Sequence, residues 1–407
     1  MNRSPLLAAT SAALIFLSAS ASAGTSSTET SWRQEIAFEA RQFAQSSRVV
    51  NHNQDTSLSW SAHYEVTEDN RSFTFVPYAI INSQDDERSR FDIQSLSWTW
   101  HQRRWEFRGG IRTVTWQTTE AEHLVDILNQ NDFTGDIDRE DKLGQPMLNW
   151  VYKPDWGTLE LFVLPSFRER LFPGERTRLR GPLEFSTDDA AYESSAEELR
   201  TDVAVRSTIL LGDAEIAISH FSGTSREPIL RLVDNQLGSY YPVIDQTGLE
   251  WQYAAGDWLW KLEAISRSGF NDESNAGFDR YEAAVGGFEF TWSGLGESGY
   301  DLGILAEYLW ASRREEPLSD DVFIGVRLGL NDLESTDLLA GAIVDTDHSE
   351  YLAFAEFSRR IAEVGRIDIT ARAIGSPRSR FTRISDSQFI ELHRDDYLTV
   401  EYTHFIE

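Results

Sequence analysis

The chain holds 407 residues, with 66 acidic side chains against 37 lysines and arginines, a formal net charge of −29 and no cysteine. So strong a negative charge excludes nucleic acid as a ligand, because a phosphate backbone repels it. The missing cysteines exclude a disulfide framework. No stretch after the N-terminus approaches the roughly 18 to 20 uninterrupted apolar residues of a spanning helix.

The first element is a leader. Arg3 supplies a positive start, Leu6 to Leu17 an apolar stretch, and Ala21-Ser22-Ala23 a small-residue cleavage site. That order of parts predicts a secretory signal peptide over residues 1–23 and a mature chain over 24–407. The mature part carries 13 Trp, 13 Tyr and 22 of the 23 Phe, a heavy ring content for so charged a chain.

From residue 32 the sequence alternates. Trp32, Gln34, Ile36, Phe38 and Ala40 interleave with Arg33, Glu35, Ala37, Glu39 and Arg41. Leu58 to Val66 alternate with serines, His63 and Glu65, and Trp105 to Ile111 alternate with Arg104, Glu106, Arg108 and Arg112. The pattern returns over 302–310 and 322–330, and again in Leu398, Val400, Tyr402, His404 and Ile406. Successive strand side chains face opposite ways, so each segment has one apolar and one polar face. Roughly sixteen to eighteen such segments of about ten residues recur, the length a tilted strand needs to cross a bilayer.

The connections alternate too. Short turns fall near 68–70, 154–157, 212–213, 256–257, 294–299, 331–334 and 363–365. Longer polar segments fall near 44–56, 118–146, 165–197, 224–246, 268–279 and 376–395. Residues 345–350 are short where a long loop is due. With a periplasmic N-terminus the count closes at eighteen strands, and sixteen stays open. Trp98, Trp100, Trp105, Trp150, Trp156, Trp251, Trp258, Trp260 and Trp292 cluster beside the short turns, as rings do at a membrane interface. Rings filling a soluble β-sandwich core need not cluster beside one set of turns. The expected fold is all-β: a transmembrane antiparallel up-and-down β-barrel of 16–18 strands with long extracellular loops.

Over the whole mature chain this resembles the Gram-negative outer-membrane porin-like barrels. The resemblance implies the bacterial outer membrane, a lipid and lipopolysaccharide surround, and recognition by the barrel-assembly machinery. It also implies small solutes as cargo. Such barrels typically end in an aromatic residue, whereas this chain ends Phe405-Ile406-Glu407. General porins are often trimers, and a homo-oligomer is left open because no interface signature stands out.

Inward strand positions carry Arg33, Glu35, Glu39, Arg41, Arg104, Glu106, Arg108, Arg112, Glu356, Arg360 and Glu401, which suits a hydrated lumen. Arg104, Glu106, Arg108 and Arg112 are the expected lumen wall. At this strand number side chains alone do not fill the interior, so loops must do any narrowing.

Two loops are candidates, 118–146 and 165–197. Thr119-Glu120-Ala121-Glu122 before Leu124, Val125, Ile127 and Leu128 is a capping-box pattern that predicts a short helix start. This segment resembles the constriction loop of general porins. It continues into Asp132, Asp136, Asp138, Glu140 and Asp141, whereas the second loop carries Arg168, Arg170, Arg176, Arg178 and Arg180. If both enter the lumen, an acidic wall faces an arginine wall, and the field between them selects by charge. Alternatively, the two sets neutralise each other at the surface.

Asp136-x-Asp138-x-Glu140 does not make a calcium loop, since Asp141 occupies the position that needs glycine. No metal and no cofactor is expected. Nor is an enzyme: none of the eight histidines sits in a catalytic motif, and Gly-x-Ser-x-Gly is absent. The rival readings are a lipase- or deacylase-type barrel, an adhesion barrel, and a path for hydrophobic compounds. The last would need Phe162, Leu164, Leu305 and Leu309 to face inward instead of lipid.

Overall fold

The computed structural model describes residues 28–47, 50–138, 140–180, 183–186, 190–269, 280–297, 299–312, 319–346, 350–375, 392 and 395–407. The leader read at 1–23 lies outside them, as does most of the segments at 268–279 and 376–395.

In chain order the first strands are β1 (Thr28–Phe43), β2 (Gln54–Glu68), β3 (Arg71–Asn82), β4 (Arg90–Gln102), β5 (Trp105–Arg112), β6 (Gln145–Tyr152) and β7 (Gly157–Leu164). Next come β8 (Ala191–Tyr192), β9 (Asp202–Leu211), β10 (Ala214–Thr224), β11 (Ile229–Val233), β12 (Gln236–Tyr241), β13 (Val243–Ala255) and β14 (Trp258–Ser268). The last are β15 (Arg280–Leu295), β16 (Tyr300–Ala311), β17 (Asp321–Gly329), β18 (Asp337–Asp345), β19 (Tyr351–Ile361), β20 (Gly365–Gly375) and β21 (Tyr397–Ile406). Strands β8, β11 and β12 form a separate three-stranded sheet from loop segments. The rest form one 18-stranded sheet, and β21 pairs antiparallel with β1, so the sheet closes on itself.

Every barrel strand pairs antiparallel with its neighbours in sequence order, which settles the count at eighteen. Closure removes the open edge that an isolated sheet would expose. The alternation read from sequence is the barrel's inside and outside. On β1, Phe38 is 52% exposed and Glu39 only 7%, because the first faces out and the second in. The turns Gly212-Asp213 and Gly256-Asp257 open on glycines with φ of 63°, a conformation that suits a tight hairpin. Between β3 and β4 the register shifts at Val76/Pro77, where proline has no N–H to give the ladder.

Thr28, where β1 begins, Ile406, where β21 ends, and the short turns share one end of the barrel, and the long connections leave from the other. Rings band the outside near the short turns: Trp105 stacks on Trp150 at 4.8 Å and on Tyr152 at 4.1 Å, and Trp258 lies 4.7 Å from Phe290. Tyr308, Trp310 and Tyr351 are exposed toward the long-loop end. The buried apolar clusters lie inside the barrel, where loop and wall meet.

Candidate functional site

The connection 113–144 between β5 and β6 turns into the barrel. Its Trp116, Val125, Ile127 and Leu128 are buried in one cluster with Phe162, Phe221, Ile244 and Ile265 of β7, β10, β13 and β14. Further round, its Ala121 and Leu124 pack on Val285, Leu305, Leu309 and Phe323 of β15, β16 and β17. These wall residues occupy inward positions, so Phe162, Leu164, Leu305 and Leu309 do not face lipid. An apolar inner wall would be costly in a wet lumen, and here the loop covers it. Gly248 of β13 permits the close approach: a Cβ there would lie 3.0 Å from Val125 Cγ1.

Two wall carboxylates fasten the same loop. Glu263 of β14 accepts hydrogen bonds from the main-chain N–H of Thr118 at 2.7 Å, Thr119 at 3.1 Å and Val125 at 3.3 Å. The Thr119 hydroxyl lies 2.9 Å from the same carboxylate. Glu307 of β16 accepts from the N–H of Glu120 at 2.9 Å and of Ala121 at 2.8 Å. Arg327 of β17 donates to Glu120 at 2.7 Å. The short helix expected from Thr119 does not form, and the segment runs as turns and bends. Its N–H groups, which a helix start would leave unpaired, are satisfied by the wall instead.

Asp126 of the loop is nearly fully buried, with Lys142 Nζ at 3.1 Å. Burial holds its carboxyl above the ordinary aspartate range despite that counter-charge. Replacing Lys142 with Met is expected to destabilise the seated loop by up to about 3–5 kcal/mol, the scale for breaking a buried pair. With the folded pKa raised, the variant should be most stable in acid and lose stability as pH climbs through that pKa. Thermal unfolding of refolded protein at several pH values checks this, and a pH-independent loss would contradict it.

The acidic loop residues are tied to the barrel wall. Asp132 accepts from Arg90, Asp136 from the Tyr397 hydroxyl, and Asp138 from Arg372 at 2.9 Å. Asp138 also accepts from the N–H of Glu140 at 3.1 Å, and the main-chain N–H of Asp132 donates to the main-chain oxygen of Asp141 at 2.8 Å. The arginines of 165–201 find other partners. Arg168 pairs with Asp92 at 3.0 Å, Arg176 with Asp86 at 2.7 Å, Arg178 with Asp395 at 2.7 Å, and Arg180 with Glu184 at 3.5 Å. Arg170 donates to Gln130 at 3.2 Å and lies over the Phe133 ring. The loops meet where Phe133 donates its N–H to Leu171 O at 3.0 Å, and where Arg168 reaches Gly144 O at 2.8 Å. Among the described residues, then, these pairs run to the barrel wall, to the rim or within one loop, and not from one charged set to the other.

On the wall, Arg104 lies in the turn before β5 and pairs with Asp155 at 2.7 Å, because the strand begins only at Trp105. Glu106 accepts from Arg108 and from Lys153 at 2.6 Å, and Arg108 and Arg112 both reach Asn149 Oδ1 at 3.4 Å. Further round, Arg206 grips Glu250 with two bonds of 2.8 Å, and Lys261 faces Glu289 at 3.5 Å. The sequence reading missed Glu250, Glu263 and Glu307. Their alternation with Leu249, Trp251, Leu262 and Tyr308 would have placed them inward, but the loop N–H groups they bind leave no trace in sequence.

A closed 18-strand barrel with a long loop folded inward has the architecture of a bacterial outer-membrane porin. No family model and no curated protein matches the sequence. Among solved structures the chain is similar to OccAB3 of Acinetobacter baumannii, with TM-score 0.55 and 10% identity over 93% of this chain and 99% of that one. It is also similar to a BenF-like porin of Pseudomonas fluorescens Pf-5, with TM-score 0.53 and 9% identity over 93% and 98%. OccK11 (OpdR) of Pseudomonas aeruginosa matches with TM-score 0.51 and 9% identity over 93% and 96%. The shared feature is the fold.

Proposed function

We propose that this protein is a passive channel of the bacterial outer membrane for small polar or charged solutes, and not an enzyme. The observation that carries the reading is the loop 113–144 seated on the inner wall, which narrows a barrel too wide for its own side chains to fill. The fold shared with porins supports it. In this reading the leader is removed at export, the long loops face outward into lipopolysaccharide, and the assembly machinery inserts the barrel. Self-association is open to test by sizing the detergent-solubilised protein.

Arg168, Arg170, Arg176, Arg178 and Arg180, with Asp132, Asp136, Asp138, Glu140 and Asp141, are proposed to form the constriction by holding both loops across the mouth. Glu106, Arg108 and Arg112 line the lumen below. A path for hydrophobic compounds is disfavoured because the loop covers the apolar wall. Purified protein in a planar bilayer should give discrete conductance steps, with a reversal potential in asymmetric salt that shifts when the five arginines are neutralised. Zero conductance across a wide voltage range would overturn the channel, and unchanged selectivity would remove the arginines from its filter.

A further inference from the structure

Between β2 and β5, toward the short turns, the inner wall changes character. Inward positions of β3 and β4 stand directly opposite one another as Ser72 and Thr99, Thr74 and Ser97, and Val76 and Ser95. Across β7 to β17 the inward positions include charge pairs such as Arg206 with Glu250, and apolar groups under the loop. Here it presents a ladder of hydroxyls, and a cavity of about 470 Å³ lies against it.

These hydroxyls have hydrogen-bonding capacity to spare. Ser97 is only 8% exposed, yet its Oγ has just Ser95 Oγ at 3.5 Å, the outer limit of such a bond. Ser72, Thr74 and Thr99 make no side-chain hydrogen bond among the described residues. Each hydroxyl can donate one bond and accept two. The charges around the cavity are of both signs: Arg112 and Glu65 border it, and Glu106, which also lines it, is paired with Arg108 and with Lys153 at 2.6 Å.

We propose that this chamber is a selectivity site for uncharged polyhydroxylated solutes, of the class of monosaccharides and hexitols. The proposal rests on the channel reading and assigns it a substrate class. A polyol entering the chamber exchanges water for a succession of wall hydroxyls. Each contact is weak and replaceable, so the solute is held enough to enter and not enough to stay. A carboxylate or ammonium finds charges of both signs at the border, and leaves its own hydration unmatched on the hydroxyl face.

Single-channel conductance in KCl is measured first, then proteoliposome swelling in sorbitol, gluconate and protonated glucosamine, which are of similar size. Sorbitol should enter fastest. The quadruple variant Ser72→Ala, Thr74→Val, Ser97→Ala, Thr99→Val should slow sorbitol by at least about fivefold, as several lost neutral hydrogen bonds imply, while KCl conductance stays within about twofold. The hydroxyl-keeping variant Ser72→Thr, Thr74→Ser, Ser97→Thr, Thr99→Ser should restore the flux. Gluconate or glucosamine entering faster than sorbitol in a conducting wild type would overturn the chamber alone. So would sorbitol flux that the first variant leaves unchanged or the second fails to restore. A wild type that passes no ions would overturn the channel reading itself.

Discussion

Replacing Glu263 and Glu307 together with Gln should free the inward loop and raise single-channel conductance. The two carboxylates accept five main-chain N–H groups of 118–125. Hydrogen bonds to a charged group contribute about 1.5–3 kcal/mol each in net terms, although bonds sharing one carboxylate are not additive. Glutamine keeps the shape but turns an acceptor into an –NH₂ donor facing N–H donors, so each site loses charge and gains a mismatch. A loss of about 2–3 kcal/mol per site raises the unseated population roughly 30- to 150-fold. The apolar seat of Val125 and Leu128 remains, so the barrel itself should stay folded. Bilayer recordings should show larger or noisier steps, with conductance rising further in the double variant than in either single one. Unchanged steps in the double variant would mean that the apolar seat alone holds the loop.

The barrel was legible because its physics is periodic. Phe38 against Glu39 is a property of neighbours in sequence, and a two-residue period reports it directly. Turns such as Gly212-Asp213 are equally local. The site is not. The sequence reading placed a constriction in 118–146 from its apolar and acidic content, and the structure brings that segment inside the barrel. It also faced Leu305 and Leu309 toward lipid, because Leu124, which packs on them inside the barrel, lies about 180 residues away in the chain. Likewise, the pairing of Arg168 with Asp92 and of Asp138 with Arg372 depends on how loops fold across the mouth. Opposite charge in two loops suggested that their side chains pair, whereas the loops meet through main-chain groups, and rim carboxylates and wall arginines lie closer to the charges. Arg104 differed for a local reason: alternation extended one residue too far into a turn.

Arg226 is where three connections converge, and its loss should reduce stability more than any rim charge. Its guanidinium, 3% exposed, pairs with the fully buried Asp202 at 2.7 Å and donates to Leu128 O at 3.0 Å and Thr224 O at 2.8 Å. The rings of Phe167 and Phe221 lie 5.2 and 5.1 Å away, and Arg170 donates to its main-chain oxygen at 2.7 Å. One side chain thus joins the inward loop, the arginine-bearing loop and the start of β9. Arg226→Met removes the cation and leaves Asp202 with Arg200, at 2.6 Å, as its remaining partner. Breaking a buried pair costs about 3–5 kcal/mol, and the surviving Arg200 contact places the expected loss toward the lower figure. Arg226→Lys keeps the charge but not the fork that reaches Asp202 and Leu128 together, so it should recover only part of the loss. The double variant Arg226→Met, Asp202→Asn should lose less than the sum of the singles, because no buried charge is then stranded. Thermal unfolding of the refolded barrel reads the wild type, the three single variants and the double variant. If the double variant's loss equals the sum, the two residues act independently and the junction does not hold the loops as a unit.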